Sequence, residues 1–89
     1  MNGAATQVAS RQYDEDFFRL PLGVQQHVQS KVDAMGARLA TFPHYRMKGS
    51  NQCRLRVGDY RVIYRFDVAN GEIYLVAIGH RREIYLDKT

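Results

Sequence analysis

The chain has 89 residues, 45% hydrophobic and 25% charged, with a formal net charge of +4. Such a length supports one compact core and leaves no room for a deep, enclosed pocket, and the balance of apolar to charged residues is that of a folding chain rather than a disordered one. A lone cysteine, Cys53, excludes an internal disulfide, no apolar run approaches a membrane span, and the small polar stretch at residues 1–8 does not read as a secretory signal, so the expectation is one domain over residues 1–89, in the cytoplasm and off the membrane.

Ala4 to Ala9 reads as a short edge strand. Ser10 is a good helix N-cap, with Asp14, Glu15 and Asp16 in the turns just after it and Tyr13, Phe17 and Leu20 at helical spacing, a first short helix that Pro21 ends. From Leu22 onward Val24, Val28, the stem of Lys31, Met35 and Leu39 form one stripe down about five turns of a second helix, which Thr41-Phe42-Pro43 stops. The remainder alternates as strands. Gln52 to Val57 sets Cys53, Leu55 and Val57 on one face and Arg54 and Arg56 on the other, and the turn pair Gly58-Asp59 leads into Tyr60 to Phe66. Asn70-Gly71 signals a further hairpin, and the apolar run Ile73 to Ile78 predicts a central strand covered on both faces. The expected fold is α+β: two N-terminal helices packed on one face of a small, mainly antiparallel sheet, with the other face free to work.

Charge is unevenly divided. Residues 1–43 hold four basic and four acidic side chains, whereas residues 44–89 hold nine basic against five acidic. A positive surface confined to one part of a fold suits phosphates or an acidic partner, although solubility alone also explains a modest surplus. Period-two geometry projects Arg54 and Arg56 from one face of a strand and brings Arg61 beside them from the next. Crowded guanidinium groups repel, which is tolerable when they hold a polyanion; the plainer alternative is a solvated edge paired with Asp59 or Glu83. The segment Gly79-His80-Arg81-Arg82-Glu83-Ile84-Tyr85 adds groups suited to phosphate chemistry on RNA. Arginine offers a planar fork for phosphate oxygens, tyrosine a surface for a base or a proton carrier, and histidine a proton shuttle, unless His80 only packs at the strand end. The three histidines and Cys53 show no metal-ligand spacing, and no phosphate-binding glycine loop, nucleophile elbow or glycosidase carboxylate pair is present. No cofactor is expected.

Three stretches, Met47-Lys48-Gly49, Arg54 through Tyr64 and Ile78 through Tyr85, resemble the RelE/ParE superfamily of bacterial and archaeal toxins. RelE-like members cut mRNA in the ribosomal decoding site, the 2′-hydroxyl attacking the adjacent phosphate; ParE-like members poison DNA gyrase. The strand-end arginine and C-terminal tyrosine resemble the nuclease branch. That resemblance implies an endoribonuclease toxin with Arg61 and Arg81 on phosphate and transition state, Tyr85 in base stacking or proton transfer, and His80 as a further proton carrier. It implies RNA contacts at Lys48, Arg54, Arg56 and Arg82, and as partners the ribosome, mRNA and a cognate antitoxin in a heteromeric complex, with Phe18 a candidate antitoxin contact unless it is core. Arg54 and Arg56 fall where relatives often carry lysine, and arginine cannot give up its proton, so a base must come from Tyr85, His80 or Lys48. A gyrase inhibitor, or a non-catalytic basic binding module, are the competing functions.

Overall fold

A computed structural model of the chain describes residues 4–84. Its elements run β1 (Thr6–Ala9), α1 (Arg11–Phe18), α2 (Leu22–Gly36), β2 (Tyr45–Arg46), β3 (Cys53–Val57), β4 (Tyr60–Asp67) and β5 (Glu72–His80). They form one five-stranded sheet in the order β1-β5-β4-β3-β2, antiparallel except where β1 runs parallel to β5. Both helices lie on the same face, α1 over β5 and α2 over β3. The α+β expectation holds, with β1 added as the parallel edge strand and β2 as a strand the sequence did not announce: two residues between Pro43 and Gly49 are too few to show an alternation.

Ser10 accounts for the tight passage from β1 into α1. Its hydroxyl accepts from the Tyr13 amide at 3.0 Å, capping the helix, and donates to the Val76 carbonyl at 2.8 Å, while its own amide donates to the Leu75 carbonyl. The helix is thereby fastened to β5. At its other end the Gln25 side chain donates to the carbonyls of Phe18 and Leu20, which α1 leaves unpaired.

The second helix stops at Gly36, one turn and more before Thr41. The cause is a competing hydrogen bond: the Gly36 carbonyl accepts from the Ala5 amide at 3.0 Å, so the N-terminal segment takes an acceptor that the next helical turn needed. The approach does not depend on glycine, for a Cβ at Gly36 would stand in ordinary contact, 3.6 Å from the Ala5 nitrogen and 3.5 Å from Ile73. The buried stripe also differs from the expectation. Val28, Val32, Met35 and Leu39 line the core and Lys31 is exposed, since Val32 holds the position assigned to the lysine stem. With Tyr13 and Phe17 from α1 they pack on Cys53, Leu55, Val57, Val62, Tyr64, Ile73, Leu75 and Ile78. Phe18, one residue beyond Phe17, is 69% exposed and is not part of this core.

The doubly covered strand is β4 rather than β5. Arg61, Val62, Ile63 and Tyr64 are buried in succession, whereas β5 breaks its run with a bulge: Ile63 faces Ala77 and Tyr64 faces Leu75, leaving Val76 as an extra residue. The two hairpins are also unlike. Gly58, at φ 59°, supplies the left-handed first residue of the two-residue β3–β4 turn. The Asn70-Gly71 pair instead closes a four-residue loop, in which Asn70 donates its amide and side chain to Asp67 and so holds that carboxyl below its ordinary range.

Two buried phenols make opposite predictions. Tyr13 has no hydrogen-bond partner for its hydroxyl among the described residues, whereas the Tyr64 hydroxyl bonds His44 Nδ1. Tyr13→Phe should therefore leave stability at pH 7 unchanged or slightly raised, and Tyr64→Phe should lower it by about 1–3 kcal/mol. Burial first, and the nearby Asp14 or Cys53 second, push both phenols above their ordinary value. The folded state then keeps protons that the unfolded chain releases near pH 10, so stability is complete below about pH 10 and falls above it, by at most about 1.4 kcal/mol per pH unit for each phenol. Denaturant unfolding between pH 8 and 11 should show a shallower alkaline limb in Tyr13→Phe.

Candidate nucleic-acid interface

Cross-strand partners share a face of a sheet, so the register of β3, β4 and β5 fixes what the helix-free face carries. Arg56 stands opposite Arg61, which stands opposite Gly79; one row along, Tyr45, Arg54, Ile63 and Ala77 lie in line; beyond them Arg65 meets Tyr74. The sequence expectation that Arg54, Arg56 and Arg61 assemble on one face is met. Along β3, Arg54 and Arg56 are about 6.6 Å apart at roughly 3.3 Å per residue. They flank a shallow depression of 580 Å³, walled on its other side by Phe42, Pro43 and Tyr45 and reached by Arg61.

Arg61 differs from its neighbours in being only 8% exposed. Its Nη1 donates to the carbonyls of Gly58 and Tyr60, at 2.9 and 2.8 Å. The group is thus clamped to its own turn with Nε and Nη2 still available as donors. Arg81 is fastened to the same turn, its amide donating to the Asp59 carbonyl at 2.7 Å and its Nε lying 3.7 Å from the Asp59 carboxylate. Arg61 and Arg81 therefore hold consecutive residues of one hairpin. Gly79 makes room at this end, for a Cβ there would come within 3.2 Å of Ile84. The chain turns back after β5 through amides of Glu83 and Ile84 donating to the His80 carbonyl, and Ile84 is buried over Gly79.

The remaining predicted residues divide. His80 is the cross-strand partner of Tyr60, itself opposite the buried Val57, so it lies on the helix side of the sheet, edge-on to the Tyr60 ring at 5.6 Å and accepting from the Arg82 amide. One residue along a strand reverses the face, which sets His80 apart from Arg54, Arg56 and Arg61. Arg82 is exposed beside it. Lys48 is exposed in the turn that precedes β3, at the opposite end of the sheet from Asp59, the length of β3 or about 13 Å away. Tyr85 lies outside the described residues.

Sequence reasoning missed Tyr45, Arg65 and Tyr74. Arg65 was accessible to the same alternation that gave Arg61, being four residues along one strand. Its guanidinium lies 5.3 Å over the Tyr74 ring, and the Tyr74 hydroxyl donates to Glu72, which raises that phenol's pKa. Arg65 therefore has a partner on the surface. Arg54, Arg56 and Arg61 have no carboxylate partner: among the described residues the ion pairs are Arg11 with Glu15, Arg19 with Asp16 and Arg81 with Asp59. Glu83 pairs with none of them, so the alternative of a neutralised edge is met only at Arg81. No three His, Cys, Asp or Glu side chains converge as a metal group among the described residues.

Three guanidinium groups without an ion pair among the described residues, on adjacent rows, have the charge and the donors to hold an anion. Directly opposed like charges destabilise a sheet, so Arg56→Thr should raise stability by about 0.2–1 kcal/mol in denaturant unfolding while weakening retention on an immobilised polyanion.

Comparison with known proteins fits this geometry. A family model described as the ParE toxin of the type II toxin-antitoxin system parDE matches residues 8–85. Among solved structures, the fold is similar to that of the RelBE2 toxin-antitoxin complex from Mycobacterium tuberculosis, with a TM-score of 0.73, 18% identity and coverage of 93% of this chain and 98% of that one. It is also similar to an archaeal RelE-RelB complex from Pyrococcus horikoshii, with a TM-score of 0.73, 20% identity and coverage of 90% and 98%. A mutant RelE toxin from Escherichia coli in the free state gives a TM-score of 0.74 at 12% identity, over 96% and 92% of the two chains. No curated protein matches the sequence. The family match over nearly the whole chain, on a fold shared with RelE structures, establishes that this chain belongs to the ParE toxin family of type II toxin-antitoxin systems, within the RelE/ParE superfamily.

Proposed function

We propose that this toxin acts as a ribosome-dependent endoribonuclease on mRNA. The observation that carries the reading is the cluster of Arg54, Arg56 and Arg61 on one face, with no ion pair among the described residues, and Arg81 fastened to the same turn as Arg61. Arg54 and Arg56 hold phosphates of the bound strand and of rRNA, a role that needs charge and no proton exchange. Arg61 and Arg81 face the scissile phosphate. When the 2′-hydroxyl attacks that phosphorus, the bond to the 5′-oxygen breaks and negative charge builds on the non-bridging oxygens, where preorganised guanidinium donors stabilise it most.

The attacking hydroxyl must lose a proton and the departing oxygen must gain one. Arginine cannot exchange protons near neutral pH. His80 sits on the helix side and Lys48 at the far end of the sheet, which supports Tyr85 as the proton carrier of this reading. Lys48 and Arg82 then serve as peripheral RNA contacts. Action on ribosomes places the protein in the cytoplasm.

A cognate antitoxin completes the system. The similar M. tuberculosis and P. horikoshii structures are toxin-antitoxin and RelE-RelB complexes, and here the exposed Phe18 and Leu22 at the α1–α2 junction give such a partner an apolar hold. A second reading, DNA gyrase inhibition, is favoured by one finding, that the matching family model is that of ParE.

Mapping mRNA 5′ ends in cells shortly after induction of the toxin alone separates the two. The expected result is new cuts within translated codons, absent in Arg81→Ala and strongly reduced in Tyr85→Phe, with both variants still folded. Intact mRNA with gyrase-dependent DNA breaks would transfer the chain to the gyrase reading; no arrest at any expression level would leave a basic binding module.

A further inference from the structure

Tyr45 is the large exposed aromatic on the arginine face, 67% exposed, directly opposite Arg54 in the pairing of β2 with β3. A solitary exposed aromatic means little by itself. This one, however, is held in place from behind. His44, one residue earlier and turned inward, donates through Nε2 to the Leu39 carbonyl at 2.8 Å, accepts through Nδ1 from the Tyr64 hydroxyl, and stacks on Phe66 at 3.8 Å between ring centres. Pro43 precedes it and restricts the approach. The strand thus sends His44 down into a fixed polar and aromatic seat and Tyr45 up onto the open face.

The Tyr45 ring enters no aromatic pair, cation–π contact or hydrogen bond among the described residues, in contrast to Tyr74 beneath Arg65 and Tyr60 beside His80. It shares its depression with Arg54, Arg56 and Arg61. An unsatisfied π face next to unpaired guanidinium groups is the pairing that single-stranded nucleic acid recognises, one group for a base and the others for the backbone.

We propose that Tyr45 is a stacking platform for a base of the bound RNA strand, beside the phosphates held by Arg54 and Arg56. The inference rests on the RNA reading above and adds a base-contacting residue to it. A tyrosine on an anchored strand is well suited, because only two side-chain torsions have to be ordered on binding. Removing such a platform weakens binding by about 5- to 150-fold, the equivalent of about 1–3 kcal/mol per stacked base.

The chain contains no tryptophan, so Tyr45→Trp introduces a single indole at the proposed contact. The full-length protein, carrying Arg81→Ala to prevent cleavage, is titrated with a short single-stranded RNA and with the same RNA made abasic at each position in turn. Expected are quenching of the Tyr45→Trp indole by the intact RNA and loss of that quenching at one abasic position. Tyr45→Ala should bind the intact RNA at least fivefold more weakly, with Tyr45→Phe close to the parent and thermal unfolding unchanged in both. Binding of Tyr45→Ala within twofold of the parent, with Arg54→Ala weakened, overturns the platform and leaves the RNA reading standing. The platform also falls if Tyr45→Ala keeps RNA affinity but loses a protein partner, which makes the face a protein contact. Failure of the parent to bind RNA even at low salt overturns both.

Discussion

Across a two-residue turn opened by the left-handed Gly58, the register of β3 against β4 sets Val57 opposite Tyr60, Leu55 opposite Val62 and Cys53 opposite Tyr64. All six side chains face the helices. The residues between them, Arg54, Arg56 and Arg61, are consequently forced to the other side. A slip of β3 by one residue would send Arg54 and Arg56 into the apolar core and Cys53, Leu55 and Val57 into water, so the hydrophobic effect that secures the core also secures the basic face. The hydrogen bond between Tyr64 and His44 reinforces the same register at the β2 edge.

This arrangement segregates charge. Acidic Asp14, Glu15 and Asp16 lie on α1, on the helix side, where Glu15 and Asp16 meet Arg11 and Arg19, whereas the open face keeps arginines with no described carboxylate partner. Opposing Arg56 and Arg61 costs stability that a chain of this size can ill spare. Arg61 mitigates the cost by pointing Nη1 at two carbonyls of its own turn. The same clamp makes it a positioned rather than a wandering cation, which is what stabilisation of developing phosphate charge requires. Strain between groups that would relax on binding an anion is a common mark of a functional surface.

Much of this was legible in the sequence because it rests on short-range periodicity. The Ser10 cap, the Tyr13 and Phe17 spacing, the alternation around Leu55 and the glycine turns all declared themselves locally. What escaped depends on contacts between distant segments. The end of α2 at Gly36 is set in part by Ala5, and within residues 22–41 only the glycine itself, which weakens a helix locally, hints at it. The edge strand at Tyr45 exists through pairing with Arg54, and the burial of β4 on both faces through its neighbours. Separation of His80 from the arginines follows from the β4–β5 pairing, although the parity of Gly79 and His80 along one strand was readable beforehand. Tyr85 lies beyond the described residues, and its place in the chemistry remains a proposal.

On the proposed reading, the helix-free face of the sheet binds phosphates through Arg54, Arg56 and Arg61. The most direct measurement is the salt dependence of single-stranded RNA binding by the Arg81→Ala protein, compared with the same protein carrying Arg54→Ala and Arg56→Ala. Three phosphate contacts predict a slope of log K against log salt near −2, at about −0.7 per contact, falling to about −0.7 when two are removed. A slope unchanged by those two substitutions would contradict the account and place the nucleic-acid contact elsewhere on the molecule.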